Sequence, residues 1–449
     1  MQILRSKRNI IIGPLILIAS LLIRVEFINW ILVTASLGLT LHLGQPGLAN
    51  LTKPLSTGFV WDSYGLILGL ITLIICIVCL MASFHSSTNR KIYILRFNAI
   101  SLISIWVFFR ASFLIFYVRF ELRLLPITLL VIGWGYQPER LKASYALILY
   151  TIFSSLPLLI LIIKLGIGGN FNFLATQNAQ MLADSTSNFI FSIICLRAFL
   201  VKLPMFLTHM WLPKAHVEAP VAGSMFLAAV LLKLGGIGLI RVSPLVTLRT
   251  YIIIIFTISS AALIWVGTTC IFLRDIKIII AYSSVAHIAL GLMARLRLQI
   301  ESISTIILIL LTHGVSSSFI FIQRFYIYTR SNSRRVLLTH SSLWWSGLFS
   351  RIWFISCIGI LGAPPRANIL AEVKCIIDIV SFSYFSLIFL IPGALLAGGY
   401  SIALFSFVYH TKYSKLNNLN SFSLREANTS FLHLIWLVRL TVRIFWVIY

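Results

Sequence analysis

Long apolar runs separated by short polar punctuation set the pattern of the whole chain. A helical run of roughly 20 apolar residues can cross a ~30 Å hydrocarbon core. The pattern predicts spans at residues 9–23, 27–43, 63–84, 91–109, 111–132, 143–163, 187–207, 221–240, 251–270, 276–294, 303–323, 340–381, 385–409 and 430–449, about 14 transmembrane helices. Two of them are interrupted. The seventh meets Pro204 just after Lys202 and then a polar turn, Trp211-Leu212-Pro213-Lys214-Ala215-His216-Val217-Glu218-Ala219-Pro220. The twelfth contains Gly362-Ala363-Pro364-Pro365, and a proline pair cannot continue a helix. The expected fold is an all-α polytopic membrane protein with broken helices 7 and 12.

The two broken spans lie five apart. Interrupted segments at corresponding positions of two halves point to inverted repeats with an ion site at their interface. The expected organisation is residues 1–90 with helices 1–3, 91–240 as a first five-helix repeat (spans 4–8), 251–410 as a second (spans 9–13), and 411–449 as a loop and last helix. An even number of spans puts both termini on one side. Arg90/Lys91, Arg140/Lys142, Arg330/Arg334/Arg335 and Lys412/Lys415/Arg425 then share the opposite face, which should border the electrically negative compartment.

Composition agrees with a bilayer. Of 449 residues, 59% are hydrophobic and 10% charged, with a mean hydropathy of +0.99; soluble proteins carry roughly 25% charged residues. The longest polar stretches, 165–187 and 411–430, are loop-sized, so no separate soluble domain is expected. The net charge of +25 comes from basic residues scattered singly between apolar runs. It reads as loop charge beside a negative compartment rather than a nucleic-acid surface. The basic N-terminus precedes an apolar run without a small-residue cleavage site, which reads as a retained first span.

Against this background the ionisable residues inside apolar runs stand out: Glu121, Lys202, Lys233, His287, His313 and Glu372. Burial disfavours the charged form of any such group, and histidine titrates near neutrality already. A series of acids, lysines and histidines with water between them is what a proton relay requires. If Glu121 lies beside Lys202, movement of the carboxylate changes the lysine's hold on its proton, and the pair acts as an electrostatic gate. Bland alternatives exist: Glu121 as counter-ion to Arg119 or Arg123, Glu372 paired with Lys374, and either histidine as a hydrogen-bonded core residue.

Other patterns point away from bound cofactors. Cys76-x-x-Cys79 sits inside an apolar run with no second pair nearby, whereas zinc and iron–sulfur sites want four ligands. His209, His216 and Glu218 match no helical ligand face and read as a polar loop clamping two half-helices. The glycines of Lys233-Leu234-Gly235-Gly236-Ile237-Gly238 follow no strand, so close helix packing is expected.

Lys202-Leu203-Pro204 and His209-Met210-Trp211-Leu212-Pro213-Lys214-Ala215-His216-Val217-Glu218-Ala219-Pro220 resemble the signature of a known family almost letter for letter. Gly223-Ser224, Leu231-Leu232-Lys233-Leu234-Gly235-Gly236, Gln137-Pro138-Glu139-Arg140-Leu141, Ala281-Tyr282-Ser283-Ser284-Val285-Ala286-His287 and His313-Gly314 are similar to further family motifs. The family is that of the mitochondrially encoded, antiporter-like chain 4 of NADH–ubiquinone oxidoreductase (respiratory complex I), and the resemblance covers about residues 60–410. It implies a proton-translocating membrane-arm subunit of the mitochondrial inner membrane. Glu121 would be the fifth-helix gate acid, Lys202 its partner, Lys233 the central relay, and Glu372 (in Leu370-Ala371-Glu372, against the family's Leu-Gly-Glu) the exit acid. NADH, FMN, iron–sulfur clusters and ubiquinone would be bound elsewhere in the complex. Partners would be the other membrane-arm subunits, above all the neighbouring antiporter-like ones, and lipids, with no nucleic acid.

Departures matter too. Arg123 and Arg366 fall where small polar residues, often serine, are expected in relatives, and Arg197 falls on an apolar position. Methionines number only seven while isoleucine is abundant. Our hypothesis is that some codons were translated with the wrong mitochondrial code, giving Arg for Ser and Ile for Met. A stand-alone cation/proton antiporter shares the helix pattern and is the alternative reading; a passive scaffold has no reason to keep Lys202, Lys233 and Glu372 in apolar runs.

Overall fold

The computed structural model describes residues 53–55, 59–61, 63–83, 89–109, 112–166, 185–243, 249–295, 300–336, 347–363, 367–409 and 423–448. The expected spans 9–23 and 27–43 lie outside the described residues, as do Pro364, Pro365 and Arg366. A three-residue antiparallel hairpin, β1 (Lys53–Leu55) and β2 (Phe59–Trp61), is an addition to the all-helical expectation. The helices that follow are α1 (Ser63–Ser83), α2 (Arg90–Phe108), α3 (Phe113–Leu122), α4 (Leu124–Trp134) and α5 (Arg140–Gly166). Next come α6 (Ser185–Lys202), α7 (Trp211–Glu218), α8 (Val221–Val242), α9 (Arg249–Phe272), α10 (Ile276–Arg295) and α11 (Ile300–Ser331). The chain ends with α12 (Gly347–Leu361), α13 (Ala367–Phe382), α14 (Leu387–Tyr409) and α15 (Leu424–Ile448).

Spans three to fourteen each correspond to one helix or one broken pair. Among the described residues, eight helices are long and apolar enough to cross a membrane unbroken. The fifth span differs from the expected single rod. Pro126 supplies no N–H to the carbonyl four residues back and its ring crowds that carbonyl, so α3 and α4 meet at a one-residue turn on Arg123.

Burial sorts the helices into layers. α1, α8, α10 and α11 form the interior, with 83–94% of their apolar windows buried, whereas α5 and α14 lie outside at 33% and 22%. The outer helices are turned inside out relative to a soluble protein. On α5 the row Leu149, Phe153, Leu156 and Ile160, at helical spacing, faces outward, while Thr151, Ser154 and Ser155 are buried. Lipid is as apolar as leucine, so helices associate through close packing and hydroxyl contacts rather than through apolar burial alone. The glycines of α8 follow that logic: a methyl at Gly236 would collide with Leu310 of α11, and one at Gly238 with Phe199 of α6.

The loops at one end meet as the topology requires. Arg334 beyond α11 donates to Gln137 between α4 and α5 at 3.2 Å and to Glu218 at the end of α7 at 3.1 Å. The backbones of Asp275 and Arg335 pair in an isolated antiparallel bridge, and Arg425 donates to the Met81 carbonyl near the end of α1. The six cysteines are free and buried.

Candidate functional site

The break after Lys202 is where the site begins. Pro204 has no N–H, so the α6 ladder stops: Leu203 still donates to Phe199 at 2.8 Å, but Met205 reaches back to Leu200 instead of Val201. The orphaned Val201 carbonyl accepts the indole N–H of Trp211 at 3.0 Å. A left-handed residue, Leu207 (φ 82°), then turns the chain into α7. At membrane depth an unwound backbone is tolerated only inside protein, and Lys202, Leu203, Trp211 and Leu212 are all fully buried.

Lys202 Nζ donates to Glu121 Oε1 at 2.7 Å, across 81 residues of sequence. It also lies 3.2 Å from the centre of the Phe120 ring, whose negative face suits an ammonium. Phe116, Phe120 and Phe199 pack around the pair. Glu121 Oε2 is buried and has no hydrogen-bond partner. Arg123 does not serve as its counter-ion by contact: all three guanidinium nitrogens are buried without a hydrogen bond. Arg197 is exposed, with its guanidinium 5.4 Å from the centre of the Phe153 ring.

The second group is built around Lys233. Before it, α8 widens into a π-helical turn at Leu227–Leu231, and Lys233 Nζ donates back to the Ala228 carbonyl at 2.5 Å. The lysine lies over Gly314 of α11, where an added methyl would stand 2.9 Å from its Cε. Next to Gly314 is His313, whose ring centre is 5.1 Å from that of His287 on α10. His287 Nδ1 is 3.3 Å from Glu372 Oε1 on α13. Glu372 is placed by the second helix break: the chain passes through Gly362 at φ 68°, and the carboxylate fills the space a side chain there would need. Lys374 turns away to Ser304 at 2.7 Å, so it is not bonded to Glu372.

The six expected residues thus fall into two groups: Glu121 in contact with Lys202, and the chain of contacts His313–His287–Glu372 with Lys233 set against the neighbouring Gly314. Lys202 and Lys233 donate to different partners, but the two segments lie close: a methyl added at Gly235, two residues beyond Lys233, would stand 3.1–3.3 Å from the Lys202–Leu203 backbone. Both His313 ring nitrogens and His287 Nε2 are buried without a protein partner, which is the condition in which buried polar groups take up ordered water.

His209, His216 and Glu218 diverge rather than converge. His209 stacks on Phe206, His216 lies flat on Phe321 at 5.0 Å, and Glu218 pairs with Arg334. Among the described residues no group of three or more His, Cys, Asp or Glu can hold a metal ion. Five buried ionisable residues were not singled out from sequence, Lys277, Arg295, Arg324, Asp378 and His433, and two of them stand out. Lys277 closes the end of α7 by donating to the Val217 and Ala219 carbonyls at 2.9 and 2.8 Å. His433 of α15 meets Ser318 of α11 at 3.2 Å. Both satisfy the rule that flagged the others, an ionisable group in an apolar span.

Comparison with known proteins follows the same lines. A family profile described as NADH:quinone oxidoreductase/Mrp antiporter, TM, matches residues 111–419. NADH-ubiquinone oxidoreductase chain 4 of Aedes aegypti is 40% identical over 326 residues, 72% of this chain and 71% of the relative. The protein of the same name from Rhipicephalus sanguineus is 32% identical over 421 residues, 91% and 94% of the two chains. A chain of respiratory complex I from Thermus thermophilus with bound NADH superposes with a TM-score of 0.84 at 18% identity, covering 96% of this chain and 94% of that one. A chain of the archaeal membrane-bound sulfane sulfur reductase gives 0.79 at 16%, covering 97% and 93%. At such identities these two likenesses speak for the fold.

Proposed function

The chain belongs to the family of NADH-ubiquinone oxidoreductase chain 4, within the NADH:quinone oxidoreductase/Mrp antiporter group, and from that premise we propose that it relays protons across the membrane arm of complex I through its buried acids, lysines and histidines. The observation that carries this is the series Lys233, His313, His287 and Glu372, four ionisable side chains set one after another in the buried interior. Ionisable groups at this depth are expensive and mark ion or proton paths.

In this reading Glu121 is the gate. With its carboxylate on Lys202 the lysine is held charged; when the carboxylate withdraws, the buried ammonium loses its compensation and gives its proton inward, towards Lys233. Lys233 passes it by way of His313 and His287 to Glu372. Water fills the gaps, since every transfer needs a hydrogen-bonded neighbour. Each proton moved against 100 mV costs ~2.3 kcal/mol, and the energy comes from NADH oxidation by ubiquinone in other subunits, where FMN and the iron–sulfur clusters are expected.

The two contact groups also support the division into repeats at 91–240 and 251–410. Span five carries an acid that meets a base on broken span seven; span ten carries a base that meets an acid on broken span twelve. The two halves use the same positions with the roles exchanged. Location in the mitochondrial inner membrane, and contact with neighbouring antiporter-like subunits, belong to the same proposal and rest on the animal relatives.

The test is co-migration. Membranes solubilised in mild detergent are resolved on a native gel and stained for NADH oxidation, and peptides of this chain are sought in each band. Their presence in the active high-mass band sustains the proposal. Peptides only in a smaller, NADH-inactive band would overturn it in favour of a stand-alone cation/proton antiporter.

A further inference from the structure

A second polar column runs beside the relay and is not used by it. On α11, Thr312, Ser316, Gln323, Tyr326 and Arg330 share one face, at the three- and four-residue spacing that stacks side chains along a helix. The face lies against α15, which presents Glu426, Thr429, Ser430 and His433 at matching spacing. The rungs between them are hydrogen bonds. Arg330 forks onto Glu426 at 3.0 and 2.6 Å, Tyr326 meets Thr429 at 2.5 Å, and Gln323 donates to Ser430 at 2.8 Å. Where α11 interrupts the face with Phe319, His433 stacks on that ring and reaches Ser318 at 3.2 Å. Two residues before Ser318, on the same helix, Ser316 accepts from Asn368 of α13 at 3.2 Å, which brings the polar residues to α13.

Both ends are informative. The Arg330–Glu426 end lies at the end of α11 and the start of α15, beside Arg334 and Arg425, on the face expected to be basic. The other end reaches two members of the relay: Ser316 is one turn from His313 on α11, and Asn368 is one turn from Glu372 on α13. We propose that this column is a proton-uptake branch from the basic face to the His313–Glu372 end of the relay, with His433 as its titrating member. This rests on the function proposed above.

Simple anchoring of α15 is the competing account, since interhelical hydrogen bonds serve as glue between membrane helices. Anchoring calls for neither a titratable group in mid-column nor an end at the relay. His433 is 1% exposed and holds Nδ1 towards the Thr429 carbonyl at 3.4 Å, leaving Nε2 on the Ser318 hydroxyl. Gln323 Oε1 is buried without a partner, an open acceptor for a bridging water. The chemistry is proton transfer alone: an N–H bond forms at His433 as an O–H bond of a neighbouring water or hydroxyl breaks, and the reverse step passes the proton on.

The experiment uses the intact complex in sealed vesicles, reading NADH oxidation, NADH-driven proton translocation and the amount of assembled complex. His433→Gln keeps an amide donor for Thr429 and an acceptor for Ser318 but cannot titrate. The expected result is normal assembly with turnover and translocation reduced at least about tenfold, a threshold set below the ~10²–10⁴-fold that a positioned proton carrier typically contributes. Wild-type turnover in His433→Gln would overturn the proposal and leave anchoring as the column's role. If that variant fails to assemble, Tyr326→Phe removes one hydroxyl rung and keeps the ring; slowed turnover sustains the branch and an unchanged rate overturns it. Lys233→Gln, measured in parallel, separates the two readings. A Lys233→Gln complex at full rate sinks the relay itself, whereas loss there with an unaffected His433→Gln sinks only the branch.

Discussion

The carboxylate of Glu372 occupies the space that a side chain on Gly362 would fill. The two residues are ten apart, on opposite sides of the twelfth-span break, and Gly362 is also the one glycine with a positive φ among the described residues. A single position therefore satisfies two demands: it turns the chain out of α12, and it leaves room for the acid opposite His287.

Gly362→Ala should fail on both counts. An L-residue in the left-handed region costs about 1–2 kcal/mol, and the new methyl displaces the Glu372 carboxylate. We expect turnover of the assembled complex to fall towards that of Glu372→Gln. Gly362→Ala with unimpaired turnover would show that Glu372 does not work from this position.

Gly314 has the same relation to Lys233. A methyl there stands 2.9 Å from Lys233 Cε and 3.3 Å from Nζ, so Gly314→Ala should move the lysine off the Ala228 carbonyl and away from His313. Misplacement of a reacting group by about 1 Å can cost about a hundredfold in rate, and a tenfold to hundredfold loss of NADH-driven proton translocation is the expected outcome. Gly347→Ala, where nothing lies within 4 Å of the new methyl, is the control and should translocate normally.

Spans three to fourteen, the two breaks and the six ionisable candidates were legible because lipid simplifies the code. Apolar runs mean helices, a proline beside a polar turn or a second proline marks an interruption (Pro157 and Pro392, lacking such a context, sit inside unbroken helices), and a charge inside a run is expensive. What remained hidden is tertiary. Only the family resemblance pairs Glu121 with Lys202, since the residues by themselves do not say that they meet, and nothing says that Lys374 turns to Ser304 rather than to Glu372. Lys277 and His433 were passed over because they stand two and four residues inside their predicted spans, where a polar side chain can reach out to the interface. The structure denies them that route: α7 covers the start of α10, and α11 covers His433. The π-helical turn before Lys233 has no sequence signature, since Leu227-Ala228-Ala229-Val230-Leu231 would suit an ordinary α-helix equally well.

The Glu121–Lys202 pair predicts a specific pattern of non-additivity. Removing one partner of a buried ion pair strands the other and costs roughly 3–5 kcal/mol, whereas replacing both with apolar groups is often nearly neutral. Lys202 is fully buried and Glu121 is 19% exposed at its side chain, so the stranded lysine is the costlier case. Glu121→Ala should lower the amount of assembled complex on a native gel more than Glu121→Ala/Lys202→Met does. Translocation should be lost in both. Equal or additive assembly defects would mean that the two residues do not act as a pair in the assembled protein.

Arg123 sharpens the question of how the gene is read. The guanidinium remains charged in any protein environment, and a buried charge without partners is among the costliest features a fold can carry. At 0% exposure, with Nε and both Nη atoms lacking any hydrogen bond, Arg123 is such a feature, set two residues from the gate acid. Serine at this position would satisfy its hydroxyl on a helical carbonyl one turn back, as Ser144, Ser154 and Ser224 do. We therefore expect peptide mass spectrometry of the natural protein to find serine at position 123 and no tryptic cleavage between residues 123 and 124. Cleavage there, or a fragment mass carrying arginine, would establish the guanidinium as real. Its charge beside Glu121 would then have to enter the gate itself, and Arg123→Ser would be expected to change the rate of proton translocation rather than leave it untouched.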